Sequence, residues 1–581
     1  MNQVTGRAAG GPDDTGFDVA GEQSDSVEKH SNAVAVTIAA SGGMLRSNVI
    51  VALGTALSRV TGLVRVMVLG IVIGQTALAD AYNAANSSPN AIYELLLGGV
   101  LSASLVPLFS KLAEQRDDEG TTAVVSATVV AMSVLTAAAV LAAPWIFHLY
   151  SISPSDAVDA DQFREVGTLL ARIFLIQIFF YGLTSLGTSM LNARRQFFAA
   201  AWAPVLSNLV IIASLLAVPS IMDHQDVQLT DVLDNATLRL TLGFGSTIGI
   251  AVMALALYPA LKRAGAPTGF TTNFRHPAVK KLMSLSGWTL GYAAANQVAV
   301  IFIQNFALSR GEGQQDAYNK AFTFFVLPHG LLAVSIATTF VPELARFVTR
   351  RDKGAFIDRA SLGIRMVALL TIPAGFGLFV LRRPIVGAIL QHGNFTAEDA
   401  LNTSRVLGGF ALGLVGFSVY LFVLRGFYAH QDARTPFIIN IFENLVNIVL
   451  AWFLVRRYGV LGLGLSFGIA YLVSAAWALL VLSYKVPGFS LRAIYTSLWR
   501  MLLAAVVMAE VVWLVARNVG ENSGPGAVVR VIAGTVIGTA SYVGVLLALR
   551  APELDLLRSK LPGGRGPSDP AASEDTLVGR T

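Results

Sequence analysis

No cysteine occurs among the 581 residues. Disulfides, thiolate metal sites, iron–sulfur clusters and cysteine nucleophiles are therefore excluded. Charge is scarce as well. Asp, Glu, Lys and Arg make up 13% of the chain, roughly half the ~25% of an ordinary soluble protein. With 54% hydrophobic residues, the chain is neither disordered nor composed like a soluble enzyme. No Gly-Lys pair occurs, so there is no P-loop. The seven histidines are scattered, with no HExxH and no metal-ligand spacing. What is present is glycine and proline, 53 and 21 residues, spread through apolar stretches as membrane helices tolerate. The net charge of +6 sits in short loops between apolar runs. There it orients a membrane protein and does not call for nucleic acid.

A helix needs roughly 20 apolar residues to cross a bilayer. Fourteen such runs are expected, at about 46–74, 81–110, 121–147, 165–192, 199–221, 238–261, 282–308, 317–345, 356–381, 402–428, 435–455, 460–484, 493–516 and 527–549. Alternate loops carry Lys111 and Arg116, Arg194 and Arg195, basic residues over 262–281 and 346–359, then Arg434 and Lys485. The intervening loops carry Asp156, Asp159 and Asp161, then Asp223, Asp226, Asp231 and Asp234, then Glu398 and Asp399. The basic ends are expected in the cytoplasm, and an even number of spans puts both termini there. Arg456 and Arg457 run against this rule and read as interfacial or partner-facing. Residues 1–45 and 550–581 read as disordered cytoplasmic tails.

The chain repeats itself. Asp80-Ala81-Tyr82-Asn83 recurs as Asp316-Ala317-Tyr318-Asn319, 236 residues on. Val106-Pro107 recurs as Val341-Pro342, Arg116-Asp117 as Arg351-Asp352, and Asn208-Leu209-Val210 as Asn444-Leu445-Val446, at offsets of 235 or 236. Six spans separate matched points, so the repeats are parallel. The expected fold is an all-α integral membrane protein. A six-helix bundle at 46–265 and a second at 279–485 face each other across a cleft, and two further helices lie at 492–549. Rocking of two such bundles gives alternating access.

An arginine at the centre of a membrane helix costs about 2.5–3.5 kcal/mol on insertion scales. The first span carries two, in Ser58-Arg59-Val60-Thr61-Gly62-Leu63-Val64-Arg65. They lie about 120° apart on an ideal helix, and a bend at Gly62 is expected to turn both into one cavity. Two guanidiniums suit phosphate or diphosphate, which accepts their paired donors. Asp80 opens the second span as an N-cap, a rim residue, a gate or a partner for an arginine, and Glu94 lies deeper, either packed with an arginine partner or with a transport role. Lys320 follows the repeated tetrapeptide and is expected either to add a cation to the cleft or to snorkel. Glu443 and Asn447 share one face of a span that also holds Asn444. That set is read either as a Na⁺ or proton site or as polar glue between helices.

These residues resemble the MviN/MurJ family of bacterial lipid II flippases, within the superfamily that also holds MATE drug exporters and polysaccharide exporters. The resemblance runs through Ser58-Arg59, Gly62, Arg65, Gly74 and Asp80, then Pro89-Asn90, Ser102 and Val106-Pro107. It continues with Leu191-Asn192, Pro204-Val205-Leu206, Pro328-His329-Gly330 and Pro342. Gln391-His392-Gly393-Asn394-Phe395-Thr396 and Asp432-Ala433-Arg434-Thr435-Pro436 complete it. The resemblance implies a transporter, not an enzyme, in the bacterial inner membrane. It would flip lipid II, an undecaprenyl-diphosphate disaccharide-pentapeptide, from the inner to the outer leaflet. Arg59, Arg65, Ser58 and Lys320 would bind substrate, with Asp80 and Gly62 at the gate. Partners would be the lipid, the bilayer, and cell-wall synthesis and division proteins. No cofactor is expected; Na⁺, a proton or the membrane potential alone would supply the drive. The sequence departs from the family pattern at Val66, where an acidic residue is usual, and near Tyr93 and Thr323, where arginines are expected. The alternatives are an exporter of another polyprenyl-linked glycan and a MATE-like drug/cation antiporter. Two arginines in the first span favour an anionic substrate over a cationic drug.

Overall fold

The computed structural model describes residues 51, 53–94, 102–222, 226–267, 269–284 and 287–554. The expected tail at 1–45, and the C-terminal tail from 555 on, lie outside the described residues. Among the described residues, helix falls within every expected span: α1 Leu53–Ile73, α2 Ala77–Tyr93, α3 Ser102–Glu114, α4 Asp118–Leu141, α5 Ala160–Ala193, α6 Phe198–Ser220 and α7 Ala236–Arg263. The second repeat follows with α8 Gly287–Leu308, α9 Gln314–Thr349, α10 Lys353–Leu390, α11 Ala397–Leu412, α12 Leu414–Ala429, α13 Arg434–Tyr458 and α14 Val460–Lys485. The chain ends in α15 Leu491–Asn518 and α16 Gly524–Ala548.

Among the described residues, eleven helices are long and apolar enough to cross a membrane. The number is twelve if α11 and α12, bent by 48° at Gly413, form one span. The expected fourteen are not all reached, for physical reasons. The 17 residues of α2 are too few alone. The apolar character of α8 is diluted by Asn296, Gln297, Gln304 and Asn305.

The repeated Arg-Asp pair has a structural meaning. Arg116 and Arg351 take left-handed backbone, with φ of 52° and 57°. Asp117 N donates to Leu112 O at 2.9 Å, and Asp352 N to Phe347 O at 2.9 Å. Each is the six-residue closure that ends a helix. The aspartate then caps the next helix, Asp117 accepting from Gly120 N and Asp352 from Ala355 N. Two residues thus stop one helix and start another at the same place in both repeats.

Within the first repeat α2 packs on α5, α3 on α5, and α6 on α7; within the second, α8 and α14 pack on α13, and α11 on α14. The α11–α14 crossing rests on glycine. Gly409 and Gly413 face Gly464 and Gly468, four residues apart on each helix. A Cβ at Gly409 would lie 2.6 Å from the backbone of Gly464 and Leu465. The run Gly464-Leu465-Ser466-Phe467-Gly468 has the spacing of a hydrolase nucleophile elbow, yet it lies inside α14 and not at a strand-to-helix turn. Ser466 Oγ instead donates to Asn447 Oδ1 at 3.0 Å.

Helices α15 and α16 pack against α10. The described residues continue just past them, to 554. Glu553 is 1% exposed and accepts from Arg365 at 3.0 Å and Ser497 at 2.6 Å. A tail residue thereby satisfies an arginine in the body of α10. At the basic ends of the helices, Arg359 pairs with Glu343 at 2.5 Å and Lys485 with Asp432 at 2.7 Å. Partial burial works against the Asp432 charge, but hydrogen bonds from Lys485 and Thr435 prevail and bring its carboxyl down to about 2. Arg456 stacks over Trp452, 3.8 Å from the ring centroid, in keeping with an interfacial role.

Candidate substrate cleft and inter-repeat closure

The first span is an unbroken helix through Gly62. Gly62 does not interrupt it, and a neighbour braces that turn. Asn208 of α6 donates its Nδ2 to the Ser58 carbonyl at 3.1 Å and to Thr61 Oγ1 at 3.0 Å. It thereby pins the turn that Gly62 would otherwise loosen. The structure uses the carbonyl of Ser58 here, and its hydroxyl takes no part in this contact. The two arginines, on different faces of a continuous helix, go to different places.

Arg65 lines a cavity of about 240 Å³ inside the first repeat, with Asn83, Asn86, Asn90, Gln177 and Tyr181. The three asparagines stand at i, i+3 and i+7, one face of α2. Tyr82 and Ser246 share a 2.5 Å hydrogen bond beside them, and Gln177 Oε1 is buried without a partner. The sequence reading missed this amide stripe, although Asn83 lies within the repeated tetrapeptide. In the second repeat, the residues 236 positions further on are Asn319, Phe322 and Val326. Phe322 packs against Phe410, Phe325 and Phe467 in an aromatic core. The same helix therefore lines a polar cavity in one repeat and fills an apolar core in the other.

The Arg59 guanidinium lies against Gly330 of the second repeat. There α9 carries a π-helical turn, His329–Ala333. Wide turns of this kind often mark functional positions.

The two copies of the tetrapeptide meet at the acid-rich end of the helices. Asp80 does not cap its own helix; Thr76 does. Asp80 Oδ1 accepts instead from Asp316 N at 2.7 Å, at the start of α9. In return Glu312 Oε1 accepts from Ala77 N at 2.9 Å, at the start of α2. Each helix start thus receives a carboxylate from the other repeat, where its free N–H groups and positive dipole end favour one. Asn83 Nδ2 donates to Asp316 Oδ1 at 2.8 Å, and Lys320 pairs with Asp316.

Lys320 is 2% exposed, with its ammonium 5.4 Å from the centroid of Phe395. The expectation that Lys320 adds a cation to the cleft, or snorkels to an interface, is therefore corrected. It is locked in a buried ion pair, because the carboxylate one helical turn earlier takes it.

Further bonds close the same end. Asn394 donates to Ile71 O at 3.0 Å and Val72 O at 2.8 Å, and Gln75 to Thr403 Oγ1 at 2.9 Å. Asn402 donates to Gln75 Oε1 at 3.1 Å. Deeper in, Gln297 donates to Glu94 at 2.6 Å. The partner of Glu94 is thus an amide and not the expected arginine.

Glu443, Asn444 and Asn447 are brought together, all nearly buried. Asn440 and Asn444 both donate to Asn296 Oδ1, at 2.8 and 3.0 Å, tying α13 to α8. Asn447 ties α13 to α14 through Ser466. The asparagines thus act as polar glue. Glu443 faces Tyr471 and keeps a buried Oε2 without a partner. Of this set, Glu443 is the group whose chemistry fits a proton or Na⁺. Among the described residues there is no cluster of three or more His, Asp or Glu able to hold a metal.

A repeated helical membrane chain, bonded shut at one end and holding arginines in its interior, has the architecture of a multi-pass transporter. Known proteins of this fold include a lipid II flippase MurJ in an inward closed conformation, at TM-score 0.71 and 22% identity, over 88% of this chain and 100% of that one. An inward-facing MATE multidrug transporter follows at TM-score 0.54 and 14% identity, over 76% and 94%. The sequence profile of the family described as lipid II flippase MurJ matches residues 70–534, and the chain belongs to that family. Among relatives, the lipid II flippase MurJ of Burkholderia cenocepacia is 28% identical over 423 residues, 71% of this chain and 79% of its own. A relative from Vibrio cholerae, named "Probable lipid II flippase MurJ", is 28% identical over 540 residues, 88% and 97%.

Proposed function

We propose that this protein carries lipid II from the inner to the outer leaflet of the bacterial inner membrane by alternating access. Beyond family membership, one observation supports the reading. Arg59 and Arg65 stand in the interior of the first span, and among the described residues neither has an ion pair or hydrogen bond to satisfy it. An unpaired guanidinium at membrane depth calls for an anion, and a lipid diphosphate supplies one whose tail can stay in the bilayer. The full chain is proposed to hold fourteen spans as two six-helix bundles, 46–265 and 279–485, plus two helices at 492–549, with both termini cytoplasmic. In that orientation the closed acidic end faces outward.

The test is complementation. In cells depleted of their own lipid II flippase, the wild-type chain is expected to restore growth. Arg59→Ala and Arg65→Ala, present in the membrane at equal amounts, are expected not to. Rescue by all three would remove the arginines from the mechanism, and no rescue by a well-folded wild type would point to another exported lipid.

The proposed drive is the membrane potential. Moving one charge through 100 mV is worth about 2.3 kcal/mol, and a negative interior pushes a diphosphate outward. Flipping in proteoliposomes is expected to rise with an imposed inside-negative potential and to need no Na⁺ gradient. Flipping indifferent to the potential and abolished by Glu443→Gln would assign the drive to an ion at Glu443.

A further inference from the structure

Four basic groups in the body of the second repeat are held by carboxylates. Lys320 pairs with Asp316, Arg359 with Glu343, Arg365 with Glu553 and Lys485 with Asp432. Arg425 of α12 is exposed, and among the described residues it has no such partner. Its position follows from Ser418, whose Oγ lies 2.9 Å from His329 Nδ1. Arg425 stands seven residues further along the same helix. Seven residues are two turns, about 10 Å along the axis and on the same face.

Arg59 reaches the same turn from the other repeat, against Gly330, the residue next to His329. His329 is held between, its ring edge-on to Phe417 at 4.7 Å. Arg59 and Arg425 both lie near enough to His329 to act on it electrostatically. Two like charges within electrostatic reach of one turn repel, and an anion between them relieves that repulsion.

We propose that Arg59 and Arg425, one from each repeat, form a two-armed clamp for a diphosphate group, with the His329–Gly330 turn as its floor. The proposal rests on the lipid-diphosphate reading above and changes its pairing: Arg59 works with Arg425, and Arg65 meets another part of the headgroup in its own cavity. Gly330 is part of the design, since a side chain there would occupy the place of the Arg59 guanidinium. A clamp with arms on both repeats grips fully in only one relation of the repeats. Substrate binding and the rocking motion are thereby coupled.

The absence of cysteine allows a direct test. The full chain is reconstituted in lipid nanodiscs, and binding of farnesyl diphosphate is compared with that of farnesol. Wild type is expected to prefer the diphosphate. Arg425→Cys is expected to bind it about tenfold or more weakly, as loss of a charged hydrogen-bond donor implies. Modification of that thiol with 2-aminoethyl methanethiosulfonate is expected to restore much of the affinity, and modification with the neutral methyl reagent is not. The double variant Arg59→Gln/Arg425→Gln is expected to bind little more weakly than either single variant.

Wild-type preference for the diphosphate together with unchanged binding by Arg425→Cys, before and after modification, would overturn the clamp and leave the lipid-diphosphate reading standing. Equal binding of farnesol and farnesyl diphosphate by wild type would overturn that reading and the clamp with it. Should Arg425→Cys fail to fold, Arg425→Lys reads the same point. It keeps the charge but loses the planar fork, and is expected to discriminate less between diphosphate and monophosphate. Unchanged discrimination there overturns the clamp.

Discussion

Replacing Lys320 by methionine is expected to open the acidic end of the protein. Lys320 is the cation that faces Asp316, and Asp80 lies beside it with one buried oxygen already unpartnered. Removing one member of a buried ion pair leaves an uncompensated charge and costs about 3–5 kcal/mol. Here the chain has a way to relieve that cost, by separating the repeats and letting water reach Asp316. The loss is therefore expected as a shift of population toward an open acidic end, about a hundredfold or more by the same arithmetic. Ala317→Cys, fully buried beside the pair, gives the readout in a chain without other thiols. Labelling by an impermeant maleimide is expected to be slow in the Ala317→Cys parent and fast once Lys320→Met is added. The further change Asp316→Asn removes the stranded charge and is expected to slow labelling again. Equal labelling rates in all three would show that the ion pair does not hold this end shut.

Gly409→Leu is expected to be strongly damaging to the fold. The atoms nearest a Cβ at that position are all backbone of Gly464 and Leu465, so no side chain can move aside. Overpacking a core ordinarily costs about 1–3 kcal/mol, and more where nothing gives. The expected result is a chain that no longer runs as a single species in detergent, or one with a melting temperature far below wild type. Gly544→Leu, on the open face of α16 with nothing near its Cβ position, is expected to be close to neutral and serves as the control. Similar melting for both variants would mean that the α11–α14 crossing can repack.

Much of this was legible in the sequence because it is carried by local rules. Apolar run length marks the helices. The Arg-Asp pairs repeat because each stops one helix and caps the next. The intramembrane arginines stand out by cost alone. What was not legible depends on partners far away in the chain. Nothing near Lys320 predicts burial under Phe395, 75 residues on. Nothing near Gly62 reveals that Asn208 braces the turn it sits in. The amide stripe of α2 has the spacing of any helix face, and only the cavity beyond it gives it meaning. Arg425 lies in an apolar run near the basic end of its helix, where a snorkelling residue is also expected. Its bearing on His329 follows from a bond to Ser418 on α12, 89 positions from the histidine in sequence.

The meeting of Asp80 with Asp316 also bears on how such a chain can change over time. The residue 236 positions before Lys320 is Ala84. A pair of separate, identical subunits would have to carry the lysine in both copies or in neither. Two lysines would neutralise both aspartates and fasten the joint; none would leave two carboxylates face to face. Covalent fusion of the copies permits the intermediate case, one lysine for two aspartates, in which the joint forms and can still be undone. Duplication followed by divergence at this one position turns a symmetric contact into a latch.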